Sequence, residues 1–598
     1  MGLYADCEVG GAAVGAGASV TKQTFNRGIA HKTSHRLRTR IRQLTSVLGY
    51  LGRGDLTGLL SRIGHLRRES ALIRIQSAQS SASGLQWGIL TSKHTVFVAH
   101  LIRDRLESLG WSTTVLTEAP VDFELDRYLV ICPQIFERLP PPYKRICFQL
   151  EQTISPRWFD QTYLGILRES LAVLDYSLVN IDNLEKAGIR FPQVHYLPIG
   201  ACENYASHVE EDEKVHDVLF YGDSVSSPRR KRMLDAIRSR YRLTIVNGLF
   251  GNLMAREIKR AKVIINIHYY DHAILEMPRI QECLSLGTTV VSEGAQDQED
   301  YPELAGAVSF FKEGSIDDML TAIGSALANS ERRTSDSVRK SADRFDFMFK
   351  RFLIGMGFLE ASRSSVVPIP IASGRSGFVI SLPEISERRL ALNSSYPEGF
   401  VTFPGFRRSP GWIGCGLSHS ALARHALESD LAQITIAEDD VVLPPDFLDV
   451  YSRIQGYLEA RISRWDVFVG LIAVLHPETK VLEVEEHNGL TFVTLSRMNS
   501  MVFNIYARAA LEVLAAWSAE NTDPETNTID RFMGGRESLR VVTTLPFAFG
   551  HREEVSSTLW GFKNSTFKTL IAESEATLTV LVAEFLSNQG RQKSPSRY

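Results

Sequence analysis

The segment QITIAEDDVVLPPDF brings three acids together: Glu438, Asp439 and Asp440 close a run of strand character, and prolines follow. Strand alternation sends Glu438 and Asp440 to one side and Asp439 to the other. Three carboxylates at a strand end repel one another unless a cation or solvent compensates. Oxygen ligands of this kind suit magnesium or manganese, and such an ion offsets charge developing on a leaving diphosphate. The alternative is an acidic turn capping the next helix. A second pattern lies in FYGDSVSSPRRKRML, where Gly222 falls in a strand-to-helix turn with Arg229 and Arg230 near the helix start. Exposed backbone N–H groups at such a turn favour anions, and arginine binds phosphate oxygens in pairs. An ordinary turn into a basic exposed helix has the same appearance.

These groups need elements to hold them. From residue 85, short apolar runs rich in branched residues (QWGILTS, STTVLTE, RYLVICP, RICFQLEQ, LAVLDYSLVN, VHYLPIG) alternate with helical stretches such as HTVFVAHLIRDRLESLG. A second set follows from Asp217, with DVLFYG, YRLTIVNG, AKVIINIHY and TTVVSEG. This alternation predicts an α/β fold with two Rossmann-like halves, residues 85–210 and 211–360, whose ligands lie beyond the strand C-termini. The acidic run GAQDQEDYPE is expected to be an exposed loop. Residues 361–376, rich in Ser, Pro and Gly around Pro368 and Pro370, are expected to be a linker. A third unit, 377–563, opens with FVISL, and 564–598 reads as a helix and polar tail. Residues 1–84 form a basic leader: a Gly/Ala-rich start, then Lys32, Arg36, Arg38, Arg40 and Arg42, then a helix carrying Arg62, Arg67, Arg68 and Arg74. Such a helix lies on anionic lipid or is simply solvated.

The whole chain, 598 residues with a formal net charge of -3, is too long for one core and gives no reason to expect a nucleic-acid partner. Its hydrophobic content of 44% against 23% charge is that of a globular protein rather than a disordered one. Cys7, Cys132, Cys147, Cys202, Cys283 and Cys415 show no CxxC or CxH spacing, so neither a zinc site nor a disulfide framework is expected. No apolar run approaches the roughly 20 residues of a membrane span, and the start lacks a signal-peptide pattern. The expected setting is the cytoplasm, or peripheral attachment to the inner face of the plasma membrane through the basic leader.

Where GWIGCGLSHSALARHAL precedes TIAEDDVVL, the sequence resembles glycosyltransferase family 25, the lipopolysaccharide and collagen galactosyltransferase group. FVISLPEISERR supplies the family's opening strand, turn and paired arginines, Arg388 and Arg389. Gly414, Cys415, Leu417, Ser418 and His419 match its GCxLSH element; the acidic triplet follows, and Asp530 in NTIDRFM takes the place of a later aspartate. The resemblance covers about 185 residues with motifs in the family's order. It implies a GT-A-like α/β domain, a nucleotide-diphospho-sugar donor (a UDP-sugar), manganese dependence and inverting hexosyl, for example galactosyl, transfer. Asp439 and Asp440 are then the metal and diphosphate ligands with Glu438 beside them. Asp530 is the base or an acceptor contact, or else a helix N-terminal acid. Ser418 and His419 fall at the donor or acceptor, or in the core, and Arg388 and Arg389 near the nucleotide, or in a surface salt bridge. The sequence departs from the family in ALARHA, which lacks the usual aromatic after LSH, and follows it loosely in FAFGHREEVSST.

The paired Rossmann-like halves resemble GT-B glycosyltransferases of the spore-maturation-protein group, on the segment INIHYYDHAILEMPRIQECLSLGTTVVSE. The resemblance assigns Glu282 to the donor ribose and sets Glu276 and Arg279 toward the sugar or diphosphate. Together the readings imply a bifunctional glycosyltransferase acting on a cell-surface glycan or lipopolysaccharide-type glycolipid acceptor. Alternatively, a single C-terminal activity is served by a non-catalytic carbohydrate- or nucleotide-binding middle module.

Overall fold

Strands that are apolar at every position need cover on both faces, as parallel sheets flanked by helices provide. In RICFQ (Arg145–Gln149) and AVLD (Ala172–Asp175) every residue is buried. The structure, a computed structural model, describes residues 56–79 and 84–592 except 156, 211–212, 330–334, 361–374, 393–395, 397–398, 462, 498, 537, 560 and 562. Residues 68–559 and 564–598 make one compact unit. The other unit is 1–67 with 560–563, of which residues 56–67, 561 and 563 are described.

The first sheet holds β1 (Gln86–Leu90), β2 (Ser112–Leu116), β3 (Arg127–Ile131), β4 (Arg145–Gln149), β5 (Ala172–Asp175) and β6 (Val194–Tyr196). Its order is β2-β1-β3-β4-β5-β6, parallel throughout. The second sheet, also all parallel, orders β7 (His216–Tyr221), β8 (Leu243–Val246), β9 (Ala261–Asn266), β10 (Thr289–Glu293) and β11 (Val308–Phe311) as β11-β10-β9-β7-β8. These are the two Rossmann-like halves. The third sheet is mixed. It holds β12 (Gly377–Ser381), β13 (Phe400–Pro404) and β14 (Gln433–Glu438), and after the short β15 (Val441–Val442) it continues with β16 (Val467–Val469), β17 (Val481–His487), β18 (Leu490–Leu495), β19 (Phe503–Ala507) and β20 (Val541–Thr544). The order is β13-β12-β14-β19-β16-β20-β18-β17, with β15 and β21 (Gly550–His551) pairing separately. β11, β13, β17 and β19 were not anticipated: VSFF and FVTFP are short, VLEVEEH is half polar, and FNIYA runs straight into a helix.

The proposed linker residues 361–374 lie outside the described residues, but the modules on either side touch directly. Arg351, on the long helix Ser335–Met356, spends its whole guanidinium on the C-terminal side: Nε donates to the Gly405 carbonyl (2.8 Å), and Nη1 and Nη2 to the two Glu384 oxygens (2.6 and 2.9 Å). Glu384 also accepts from the Tyr196 backbone N–H (3.1 Å), and Arg407 pairs with it at 3.2 Å while donating to the Val194 carbonyl (2.6 Å). All three charged groups are buried. Phe347 meets Phe403 and Phe406 alongside. The sequence picture of modules joined only by a tether is therefore corrected: buried charge and aromatic packing lock this junction.

The leader residues 1–55, with the basic cluster from Lys32 to Arg42, lie outside the described residues. The helix Leu56–Gln79 forms as expected, but its second half is not left to solvent. Gln76 donates to the Gly355 carbonyl (2.7 Å), and Glu69 accepts from the Gly411 N–H (3.1 Å). The acidic run after β10 is likewise not an exposed loop. Asp297 and Tyr301 are buried; Asp297 accepts from the Leu275 N–H (2.9 Å), and burial pushes its carboxyl up to about 6. At the far end the helix Ser565–Gln592 docks through Leu578 and Val582, with Glu575 accepting from the Phe547 N–H (3.1 Å). Among the described residues, no helix is long and apolar enough to cross a membrane.

Candidate functional site

Between the first two sheets, at the C-terminal ends of their strands, lies a cleft of ≈ 440 Å³. The first half contributes Lys93 and His94 after β1, Leu150, Glu151 and Gln152 after β4, and Tyr176 after β5. The second contributes Tyr221, Gly222 and Asp223 at the end of β7, Asn247–Gly251 after β8, Tyr269 and Tyr270 after β9, and Glu276, Pro278, Arg279 and Glu282 from the helix Met277–Ser285 and its cap. First turns of the helices Val96–Ser108, Gly251–Lys259 and Met277–Ser285 all line it; the Gly251 end has no side-chain cap, whereas in Met277–Ser285 the Met277 and Arg279 N–H groups are bonded to the Leu275 and Glu276 carbonyls and Pro278 has none. His94 and Phe250 meet across the cleft edge to face, with centroids 4.3 Å apart.

Arg279 and Glu282 reach the cleft, as expected. Arg279 donates to the Tyr221 carbonyl, stacks over the Tyr221 ring (4.4 Å), and pairs with Glu276 (3.0 Å). Burial resists the Glu276 anion, but Arg279 and Arg230 outweigh it and hold the carboxyl below its ordinary value. Glu282 accepts from the Tyr205 hydroxyl (3.3 Å), and burial pushes it up to about 7. Gly222 lies in the cleft wall with φ of +115°, a conformation closed to other residues, and an added Cβ would come within 3.2 Å of Arg279 Nη2.

Gly222 is not, however, the start of the basic helix. The loop 223–227 intervenes before Pro228–Arg238, and neither arginine at that helix start lines the cleft. Arg229 is captured by Glu293 at the end of β10 and by Asp271. Arg230 is buried against the Ile267 carbonyl (2.8 Å) and Glu276 (3.0 Å). The direct anion contact expected of this pair is corrected: Arg230, through Glu276, braces Arg279, and Arg229 is held by Glu293 and Asp271. Sequence reasoning passed over His94 and Glu151. Glu151 follows a fully buried parallel strand, the signal that could have found it; Gln134 donates to it (2.8 Å), and burial raises its carboxyl.

The second centre surrounds the acidic triplet. β14 ends at Glu438, so strand alternation does not extend to the next two residues. The expected pairing of Glu438 with Asp440 is thus corrected: Asp439 and Asp440 share the Arg388 guanidinium, and Glu438 turns toward the helix Gly411–Glu428. Asp439 also accepts from Ser381 Oγ (2.8 Å); Asp440 Oδ2 accepts from Arg388 (3.0 Å) and Asn564 (2.9 Å), with His551 at 3.5 Å. Burial opposes the Asp440 anion, yet His551 and Arg388 outweigh it and keep the group well below the usual carboxylate range. Glu438 goes the other way, to about 8, through burial and the neighbouring Asp440 and Asp439 charges. Arg388, expected at the nucleotide or in a surface salt bridge, is instead the buried counter-ion of the triplet and donates to the Ser556 carbonyl (2.9 Å). Arg389 points away, to the Pro383 carbonyl (2.6 Å) and Asp182 of the first half.

Ser418 is structural: its hydroxyl accepts from the Phe406 N–H and donates to the Gly414 carbonyl, both at 2.8 Å, which corrects the donor-binding expectation. His419 is buried one turn beyond Cys415, and burial pulls it down to about 4. Asp530, at the start of the helix Ile529–Gly534, is half-buried and charge-coupled to Cys415 and His419.

One continuous stretch thus carries the GCxLSH helix and the acidic strand end. Residues 405–469 match the family model of glycosyltransferase family 25 (LPS biosynthesis protein). The family-25 segment contains Cys415, His419 and Glu438–Asp440; Arg388 and Asp530 lie on either side of it. Among curated proteins, uncharacterized protein L137 of Acanthamoeba polyphaga mimivirus is 28% identical over 162 residues, 26% of this chain and 21% of its own length. Uncharacterized protein L138 of the same virus is 29% identical over 132 residues, 21% of this chain and 14% of its own. The chain therefore spans about a fifth or less of these relatives. Among solved structures, an alpha-glucosyltransferase in complex with UDP and DNA gives a TM-score of 0.35 at 10% identity, covering 45% of this chain and 99% of that one. HepE of Anabaena with UDP and glucose gives 0.31 at 13%, covering 47% and 100%. WaaG, a glycosyltransferase involved in lipopolysaccharide biosynthesis, gives 0.31 at 11%, covering 45% and 98%.

Proposed function

We propose that the chain is a bifunctional glycosyltransferase that uses nucleotide-diphospho-sugar donors, with one transfer site in residues 85–360 and another in 377–563. The cleft between the two parallel sheets carries the reading. It is large enough for a sugar nucleotide, lies where open α/β sheets bind ligands, and would face a diphosphate with the uncapped helix start at Gly251 and with Arg279. Glu282 would accept a hydroxyl hydrogen bond from the donor ribose, and Glu151 or His94 of the opposite half would meet the acceptor.

In the C-terminal domain, read as GT-A-type, Asp439 and Asp440 would hold Mn2+ or Mg2+. The residues fit such an ion: two carboxylates share the single Arg388 guanidinium, and the buried Asp440 Oδ1 has no partner among the described residues. When bound, a divalent ion offsets charge on the leaving diphosphate. Asp530, half-buried at the start of the helix Ile529–Gly534, is the base that takes the acceptor hydroxyl proton. Attack opposite the leaving group inverts the anomeric carbon. A UDP-hexose donor such as UDP-galactose and a cell-surface glycan or lipopolysaccharide-type acceptor fit the family-25 resemblance. The described cysteines are separate thiols, which suits the cytoplasm or the inner face of the membrane.

The test is a panel of UDP-sugars offered to the full chain with and without manganese, in the wild type, Arg279→Ala and Asp440→Asn. Metal-dependent turnover should disappear in Asp440→Asn, and a separate turnover in Arg279→Ala. If Arg279→Ala loses no activity, the middle module is a binding module serving one C-terminal enzyme. The capture of Arg229 by Glu293, which takes a cation from the cleft, favours that second reading. Absence of turnover with every nucleotide sugar would reject both.

A further inference from the structure

Beside the acidic triplet stands a group of a different chemical type. Cys415 and His419 lie one turn apart on the helix Gly411–Glu428, and Glu438 approaches them from the end of β14. One ligand atom from each lies within 4.8 Å of the others: Cys415 Sγ is 3.7 Å from His419 Nδ1 and 3.6 Å from Glu438 Oε1. Around a tetrahedral ion with a sulfur bond of about 2.3 Å and a nitrogen bond of about 2.0 Å, the S···N edge is about 3.5 Å. The side chains are therefore spaced as ligands before any ion arrives. His419 is wholly buried with its Nδ1 turned toward Cys415 Sγ, while Cys415 and Glu438 keep contact with solvent. An ion can thus enter, and three protein ligands leave a fourth position open, as in catalytic rather than structural zinc sites.

We propose that Cys415, His419 and Glu438 form a binding site for a thiolate-preferring divalent ion of the zinc class, separate from the oxygen-ligand position at Asp439 and Asp440. Sulfur, nitrogen and one carboxylate oxygen select zinc or cobalt over magnesium or manganese. Binding releases the Cys415 thiol proton to solvent. His419 Nδ1, now 3.1 Å from the Cys415 carbonyl, gives its lone pair to the ion while the ring proton sits on Nε2. The sequence spacing hid this set, because a metal pair at i and i+4 on a helix does not resemble CxxC.

Cobalt(II) alone is the probe, titrated into the metal-free full chain. One equivalent should bind with a thiolate-to-cobalt charge-transfer band in the near ultraviolet and the strong visible absorption of tetrahedral cobalt. Cys415→Ser should lose the charge-transfer band, and His419→Gln should weaken binding at least tenfold. Asp440→Asn should keep the band, and circular dichroism checks that each variant is folded. If Cys415→Ser does not fold, His419→Gln decides the matter. No cobalt bound, cobalt bound without the thiolate band, or a band that persists in folded Cys415→Ser overturns the site. Turnover of UDP-sugars, followed in parallel, tests the glycosyltransfer reading by itself: either result can fail while the other stands.

Discussion

Replacing Glu384 by Gln keeps the shape of the side chain and removes the one anion between two buried arginines. Arg351 and Arg407 would then face each other with backbone carbonyls but no counter-charge, next to the buried His195, whose ring nitrogens have no partners. At an effective dielectric of about 20, unit charges roughly 4 Å apart attract by about 4 kcal/mol. Breaking a buried pair by removing one partner costs a net of about 3–5 kcal/mol. At about 1.4 kcal/mol per decade, hydrogen-exchange protection should fall by roughly two to four orders of magnitude. The loss should concentrate in the peptides spanning residues 345–356, 381–389 and 403–408, and the urea midpoint should drop with it. Adding Arg351→Met should recover part of the loss, because it removes the stranded charge. The effect has a pH signature. Burial resists the Glu384 anion, but Arg351 and Arg407 hold its carboxyl well below the ordinary 4.5. Its contribution is complete above that value and fades as pH falls below it, so the Gln variant should lose part of the acid-side decline in stability. Unchanged protection on both sides of the junction, with an unchanged urea midpoint, would refute the claim that this network joins the modules.

Gly414→Ala would place a Cβ 2.6 Å from the Phe406 carbonyl oxygen and 3.0 Å from the Arg408 nitrogen, both backbone atoms; thermal unfolding should report a loss of about 1–3 kcal/mol. Glu282, pushed up to about 7 by burial, favours the folded state at low pH and loses that contribution as pH rises from 4.5 through 7. Glu282→Gln should therefore remove a downward slope in melting temperature between pH 5 and 8, and a slope left intact would place its cause elsewhere. Asn564→Ala strips an amide from buried Asp440 and should cost about 1–3 kcal/mol of C-terminal-domain stability, measured by exchange in peptides around 438–442.

The strands of the Rossmann-like halves were legible because they are rich in branched apolar residues and alternate with helical stretches; only the edge strand VSFF escaped notice. The site was half legible. Motif order located Arg279, Glu282 and the acidic triplet, but not which arginine faces a ligand. Arg229 and Arg279 look alike in sequence; Glu293, 64 residues beyond Arg229, takes the first out of play, and Tyr221 holds the second in the cleft wall. Alternation failed at Asp439 because the strand stops one residue earlier. The Glu384 junction gave no local signal, since its partners come from three separate stretches of chain.

The helix that closes the chain begins where the acidic triplet is held. Asn564, fully enclosed, gives its amide to Asp440 and its backbone N–H to the Val555 carbonyl (3.0 Å), and the Ser565 N–H donates to the Glu553 carbonyl (3.1 Å). A polypeptide shortened to stop before Asn564 would keep every motif of the family-25 segment, yet Asp440 would rest on one arginine and one imidazole. Such a product could retain its fold and still be disarmed, so boundaries for expression belong beyond Gln592 rather than at the last strand.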